Sequence, residues 1–89
     1  MICYRLHIRG RVQGVSFRDW MVEEARRAGV SGWVRNRDDG SVEALVAGGE
    51  AAVSSLVTRC RKGPPLARVD DIDQQSETPP PDLSGFTRR

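Results

Sequence analysis

The feature that most limits what this chain can fold into is a change of hydrophobic period near its start. Ile2, Tyr4, Leu6 and Ile8 alternate with Cys3, Arg5, His7 and Arg9, the pattern of a strand with one buried and one wetter face. Phe17, Trp20, Met21, Ala25 and Ala28 then recur at helical spacing, so an amphipathic helix follows. Ser16, with Asp19 three residues on, resembles a capping box at the helix start, and Gly29 ends it as a left-handed residue would. The two periods keep exchanging along the chain. Residues 30–36 and 41–47 are predicted strands, joined by Arg37-Asp38-Asp39-Gly40, whose Asp-Gly pair has the turn chemistry of a hairpin. A second helix is predicted from about residue 50 to 62, with Ala52, Val53, Leu56, Val57 and Cys60 on one stripe and Gly63-Pro64-Pro65 as its stop. Residues 66–74 suit a bulged or edge strand, blunted by Asp70, Asp71 and Asp73. A proline-rich connection over 76–81 leads to a short last strand within 83–89.

Strand, helix, strand, strand, helix, strand is the split βαβ order of a ferredoxin-like α/β sandwich, in the α+β class. The expectation is an antiparallel sheet with both helices on one face, because two helices with single apolar stripes cover only one side. Arg5, His7 and Arg9 then point to the open side. At 89 residues the chain makes one domain, 1–89, with one core and room for one site. No apolar run spans a bilayer, and Arg5 and His7 interrupt the amino-terminal segment, so neither a membrane span nor a secretory signal is expected. A cytoplasmic monomer follows as the default expectation. Cys3 and Cys60 fit no metal spacing and no Cys-x-x-Cys pair, and are assigned as packing residues or free thiols. With no ligand cluster in sequence around His7, neither a metal nor another cofactor is expected.

The change of period falls across Gly10-Arg11-Val12-Gln13-Gly14-Val15-Ser16-Phe17-Arg18, which has the makings of a phosphate cradle. Gly10 and Gly14 permit positive φ and close backbone approach, so successive N–H groups can converge on one anion. The following helix adds unpaired first-turn amides and a positive dipole end, and Arg18 adds a bidentate fork. A glycine loop before a helix also suits a plain tight turn, and the sequence lacks both Gly-Lys-Ser/Thr and Gly-x-Gly-x-x-Gly. The net charge of +2 is mild, yet Arg9, Arg11, Arg18, Arg35 and Arg37 gather near this loop and the hairpin, which favours an anionic ligand; the alternative is a simple solvated face, as most charge clusters are. The second unusual stretch is Gly32-Trp33-Val34-Arg35-Asn36. An asparagine at a strand end caps turns, and its neutral amide also suits orienting a water.

Taken together, residues 10–18 and Gly32-Trp33-Val34-Arg35-Asn36 with Asp39-Gly40-Ser41-Val42-Glu43 resemble the two signatures of the acylphosphatase family, at the family's separation. The resemblance runs from the first strand to about Asp73 and implies hydrolysis of acyl phosphates to a carboxylate and inorganic phosphate. It implies that Arg18 is the catalytic phosphate-binding arginine, that Asn36 orients the attacking water, and that Val12, Gln13, Gly14, Val15, Ser16 and Phe17 form the amide cradle. The partners implied are a small acyl phosphate and inorganic phosphate as product and competitive inhibitor, with no nucleic acid and no membrane. The tail departs from the family pattern at Thr78-Pro79-Pro80-Pro81 and Phe86-Thr87-Arg88-Arg89, which bears on the last strand. A non-enzymatic ferredoxin-like module binding anions or RNA is the alternative, weakened because Tyr4 is predicted to face the core and few other aromatics lie on the strands. Similar domains also occur inside larger carbamoyl-transferring enzymes, and a chain of this length favours the stand-alone form. Carbamoyl phosphate, 1,3-bisphosphoglycerate and acetyl phosphate share one phosphoryl end, so the physiological substrate is not named by these motifs.

Overall fold

The computed structural model describes residues 1–89. Its elements are β1 (Ile2–Arg11), α1 (Phe17–Ala28), β2 (Ser31–Asn36), β3 (Val42–Gly48), α2 (Glu50–Lys62), β4 (Arg68–Ser76) and β5 (Phe86–Arg88). The sheet order is β4-β1-β3-β2-β5, which puts β1 and β3 at its centre. Their antiparallel register pairs Leu6 with Ala44 and Ile8 with Val42, so the alternation of β1 delivers its even-numbered residues to the helix side. There Leu6, Ile8, Met21, Ala25, Val34, Val46, Val53, Leu56 and Cys60 are buried in one core beneath α1 and α2. Each large side chain removed from water in this way contributes about 1.5–3 kcal/mol.

The first four strands pair antiparallel, as the ferredoxin-like order requires, but β5 runs parallel to β2, with Gly32 opposite Phe86 and Val34 opposite Arg88. The sheet is therefore mixed. The cause is the route of the chain: after β4 on one edge it must reach the opposite edge, and the connection crosses the face the helices leave open. Glu77 accepts hydrogen bonds from Arg5 on the way, and Leu83 packs on Cys3, Trp33, Leu45 and Ala47, a second small core on that face. Arg5, His7 and Arg9 point to this face as expected, but part of it is covered. Cys3 and Cys60 are both free and lie in the two separate cores, with the sheet between them. Burial pushes the Cys60 thiol up to about 12, which makes it an inert packing residue.

Two local details differ from the sequence-based expectation, and the expected bulge in the edge strand β4 is present. Ser16 occupies the helix N-cap with φ 62° and ψ 25°, and its side chain makes no capping hydrogen bond, so no capping box forms. A capping hydroxyl needs an extended backbone at the cap, and the loop holds Ser16 left-handed instead. β4 begins at Arg68, because the Pro64-Pro65 turn continues until the Ala67 amide bonds to the Pro64 carbonyl at 3.0 Å. Its register shifts between Arg9 and Gly10, a bulge at which a β-carbon on Gly10 would lie 2.1 Å from the Arg68 carbonyl oxygen.

Candidate active site

The bulge at Gly10 ends the regular part of β1 and sends the chain into the loop that precedes α1. Val12, Val15 and Phe17 are buried and anchor this loop to the core, so the backbone between them is fixed from below. Gly14 has φ 72° and Ser16 φ 62°, left-handed residues on either side of Val15. Such alternation turns backbone N–H groups toward a common concavity. Ser16 is the sole residue other than glycine with positive φ, a conformation that costs about 1–2 kcal/mol. The first intrahelical bond is Trp20 N–H to the Ser16 carbonyl at 3.0 Å, leaving the amides of residues 17–19 without helical acceptors.

Above the loop lies a cleft of about 300 Å³. The loop contributes Val12, Gly14, Ser16 and Phe17; α1 contributes Arg18 and Asp19; β2 contributes Asn36; and β5 contributes Arg88. Arg18 and Asn36, separated by a helix and a strand in sequence, thus meet at one site. Arg18 Nη1 donates to the Arg89 carbonyl at 3.0 Å, which fixes the guanidinium at the rim. Gln13 and Val15 belong to the loop without lining the cleft: Val15 packs inward, while Gln13 Nε2 donates to the carbonyls of Arg37 at 2.7 Å and Ser41 at 2.8 Å. Asp19 and Arg88 join the site without being marked by either motif as cleft residues. They face each other across the cleft wall, Nη1 to Oδ1 at 2.7 Å. Nothing in the local sequence of Arg88 signals this position, which depends on where β5 joins β2.

The hairpin that carries Asn36 is held from the other face of the sheet. The buried Glu43 carboxylate is ringed by Arg5 at 3.0 Å, Arg35 at 2.5 Å and Arg37 at 3.4 Å. Burial by itself would raise the Glu43 pKa, but hydrogen bonds from Arg35 and Arg5 outweigh it and hold the group below the usual carboxylate range. In the turn, Asp39 accepts from the Ser41 hydroxyl at 2.5 Å and from its amide at 2.9 Å, and these bonds lower its pKa as well. The Ser41 hydroxyl also meets His7 Nε2 at 2.7 Å, tying the turn to β1.

The family model described as Acylphosphatase matches residues 4–88. The chain belongs to the acylphosphatase family. An acylphosphatase from Acidiphilium cryptum (strain JF-5) is 56% identical over 89 residues, spanning 100% of this chain and 97% of that one. Among solved structures, the acylphosphatase from Bacillus subtilis superposes with a TM-score of 0.95 at 39% identity, covering 100% of this chain and 99% of the other. HypF from T. kodakarensis matches with a TM-score of 0.88 at 31% identity, where 100% of this chain corresponds to 12% of that one. The acylphosphatase likeness therefore extends past Asp73 and takes in β5, despite the proline-rich connection before it. Membership also disfavours the RNA-binding alternative, and the packing gives a reason. Trp33 is buried under Leu83 and Tyr4 packs against the helix-side core, so the sheet offers no exposed aromatic platform for bases.

Proposed function

We propose that the cleft between the loop of residues 12–17, Arg18 and Asn36 is where this member of the acylphosphatase family hydrolyses acyl phosphates, without a metal. The observation that carries the roles is the convergence of Arg18 and Asn36 on the same cleft above left-handed Gly14 and Ser16. Loop amides and the first-turn amides of α1 surround the phosphoryl oxygens, and Arg18 supplies a charged fork to the same group. Because Arg18 is already held by the Arg89 carbonyl, little reorganisation is needed as charge shifts onto those oxygens. The Asn36 amide donates one hydrogen bond and accepts another, so it can aim a water at phosphorus without taking its proton permanently.

In the reaction a water oxygen forms a new bond to phosphorus while the bond from phosphorus to the acyl oxygen breaks. The acyl oxygen leaves as a carboxylate with the bonding electron pair, and the water's protons stay with the phosphate product. A carboxylate needs no strong acid to depart at neutral pH, so positioning and charge stabilisation suffice. Inorganic phosphate, the product, fits the same cradle and acts as a competitive inhibitor. No helix is long and apolar enough to cross a membrane. A monomer working in the cytoplasm is the setting that suits a small substrate and a site built within one chain.

The test is hydrolysis of benzoyl phosphate by the purified chain with a chelator present, beside Arg18→Gln and Asn36→Ala. Arg18→Gln is expected to lose turnover and phosphate inhibition together. Asn36→Ala is expected to lose kcat by about 10²–10³ while phosphate still competes. Equal and small effects of the two substitutions would overturn the assignment of roles.

A further inference from the structure

Trp33 lies on the face of the sheet opposite the helices, ahead of Asn36 on the same strand β2, and three guanidinium groups converge on its ring. Arg5 stands 5.5 Å from the ring centroid and Arg35 5.6 Å, and both are tied to the Glu43 carboxylate. Arg89 is nearer, at 4.6 Å, and its guanidinium pairs with no carboxylate side chain, so the ring is what holds it. In the register of β5, Thr87 is opposite Trp33, and Arg89, next but one along the chain, shares that face. The main chain of Arg89 belongs to the cleft on the other side. Its amide donates to the Val34 carbonyl at 2.8 Å, and its oxygen accepts from Arg18 Nη1 at 3.0 Å. The bond to Val34 fixes the Arg89 nitrogen and the stack on Trp33 fixes its side chain, so the torsion left free is closed by Arg18 itself. Indole is the best of the aromatic rings for such a contact, and Trp33, only 7% exposed, is a rigid base for it.

We propose that Trp33 is a positioning residue for Arg18, acting across the sheet through the stacked Arg89 side chain and the Arg89 main-chain oxygen. The inference rests on the reading of Arg18 as the arginine that binds the phosphoryl group, and it names what keeps that arginine aligned with the cradle. Without the stack, Arg89 retains only its backbone bond to Val34, and the acceptor for Arg18 Nη1 is no longer held in one place. Arg18 meets the phosphoryl group in the substrate and in the phosphate product alike, so the defect falls on phosphate affinity as well as on turnover. A disturbance of β2 itself would instead reach Asn36 and show as a loss of kcat with phosphate affinity intact. The two routes out of Trp33 are therefore separable.

The test measures kcat and KM for benzoyl phosphate and, by calorimetry, the Kd of inorganic phosphate, for Arg89→Gln, Trp33→Leu and the double variant. Arg89→Gln alters an exposed side chain and leaves the buried ring in place, so it decides the question even where Trp33→Leu fails to fold. Each substitution is expected to weaken phosphate binding about threefold to tenfold and to lower kcat/KM by a similar factor, with the double variant going little beyond either single one. The factor lost in Arg89→Gln is expected to persist at high salt, where plain attraction of an anion by an exposed charge is screened. Arg89→Lys and Trp33→Phe are expected to recover part of the loss, because one keeps a cation over the indole and the other keeps a ring beneath the guanidinium. Phosphate affinity unmoved by Arg89→Gln, a loss that salt abolishes, effects that multiply in the double variant, or a Trp33→Leu defect confined to kcat would each overturn the inference. If the unaltered chain binds phosphate but does not hydrolyse benzoyl phosphate, the acyl phosphate reading fails while the phosphate titrations still decide this inference. If it binds no phosphate, both fall.

Discussion

Gln13 joins two parts of the site through a single nitrogen. Its Nε2 bonds the carbonyls of Arg37 and Ser41, the two residues that close the hairpin turn immediately after Asn36. The loop proposed to cradle phosphate is thereby fastened to the element that carries Asn36, the amide proposed to orient the water. Gln13→Ala should lower kcat by roughly tenfold or more while the inhibition constant for inorganic phosphate stays within about twofold, because the cradle survives and only its spacing from Asn36 relaxes. Steady-state kinetics with phosphate as competitor would show the split. Gln13→Glu should be worse than alanine, since a carboxylate would face two carbonyl oxygens without a donor. That Arg18 and Asn36 line one cleft is legible in the sequence because each sits in a contiguous pattern that resembles a family signature. What the Gln13 side chain does is not legible there, because its partners lie in a turn more than twenty residues away and make contact through backbone atoms that have no sequence signature. Ser16 misleads for a related reason: serine three residues before an acid signals a cap only if the backbone there is extended, and the loop decides otherwise.

At the level of elements, β2 is the strand through which the rest communicates. It pairs with β3 on one side and β5 on the other, and it presents Asn36 at its end. Gly32 makes the double pairing possible. Its φ is 145°, and a β-carbon there would lie 1.8 Å from the Leu45 carbonyl oxygen with the Phe86 ring at 3.3 Å. Gly32→Ala should therefore destabilise the domain by about 2–4 kcal/mol, a drop of roughly 10–25 °C in Tm by calorimetry or thermal circular dichroism. Most elements are readable from period and punctuation to within two residues at their ends, as the glycines after both helices and the Asp-Gly turn illustrate. The direction of β5 is not readable. Three residues are too few to show a period, and parallel or antiparallel pairing depends on the path of residues 77–85 across the sheet rather than on any residue within the strand.

For the molecule as a whole, the exposed arginines of the helix-free face are organised around one buried acid. Glu43 receives Arg5 from β1, Arg35 from β2 and Arg37 from the turn, with His7 opposite it in the register of β1 and Glu77 beyond, sharing Arg5. The folded carboxyl titrates below its ordinary value of 4.5, so its contribution to stability is complete above that pH and disappears as acid carries the solution down through the folded pKa. Denaturant unfolding at a series of pH values should show stability falling below about pH 4.5. Glu43→Gln should be less stable at pH 7 by about 2 kcal/mol or more, with a flatter acid limb, because three guanidinium groups lose their common partner. Strand β5 has a separate consequence. It is held to β2 over three residues, with flanking bonds from the Gly32 amide to the Gly85 carbonyl at 2.8 Å and from the Arg89 amide to the Val34 carbonyl at 2.8 Å. Fraying of the residues after Phe86, which itself stays buried in the core, would leave both helices and most of the sheet in place, yet it would carry off Arg88 and the Arg89 main-chain oxygen that steadies Arg18. Substrate turnover would then fall while helical circular dichroism stayed level, so catalysis itself serves as the sensitive gauge of whether the last strand is docked.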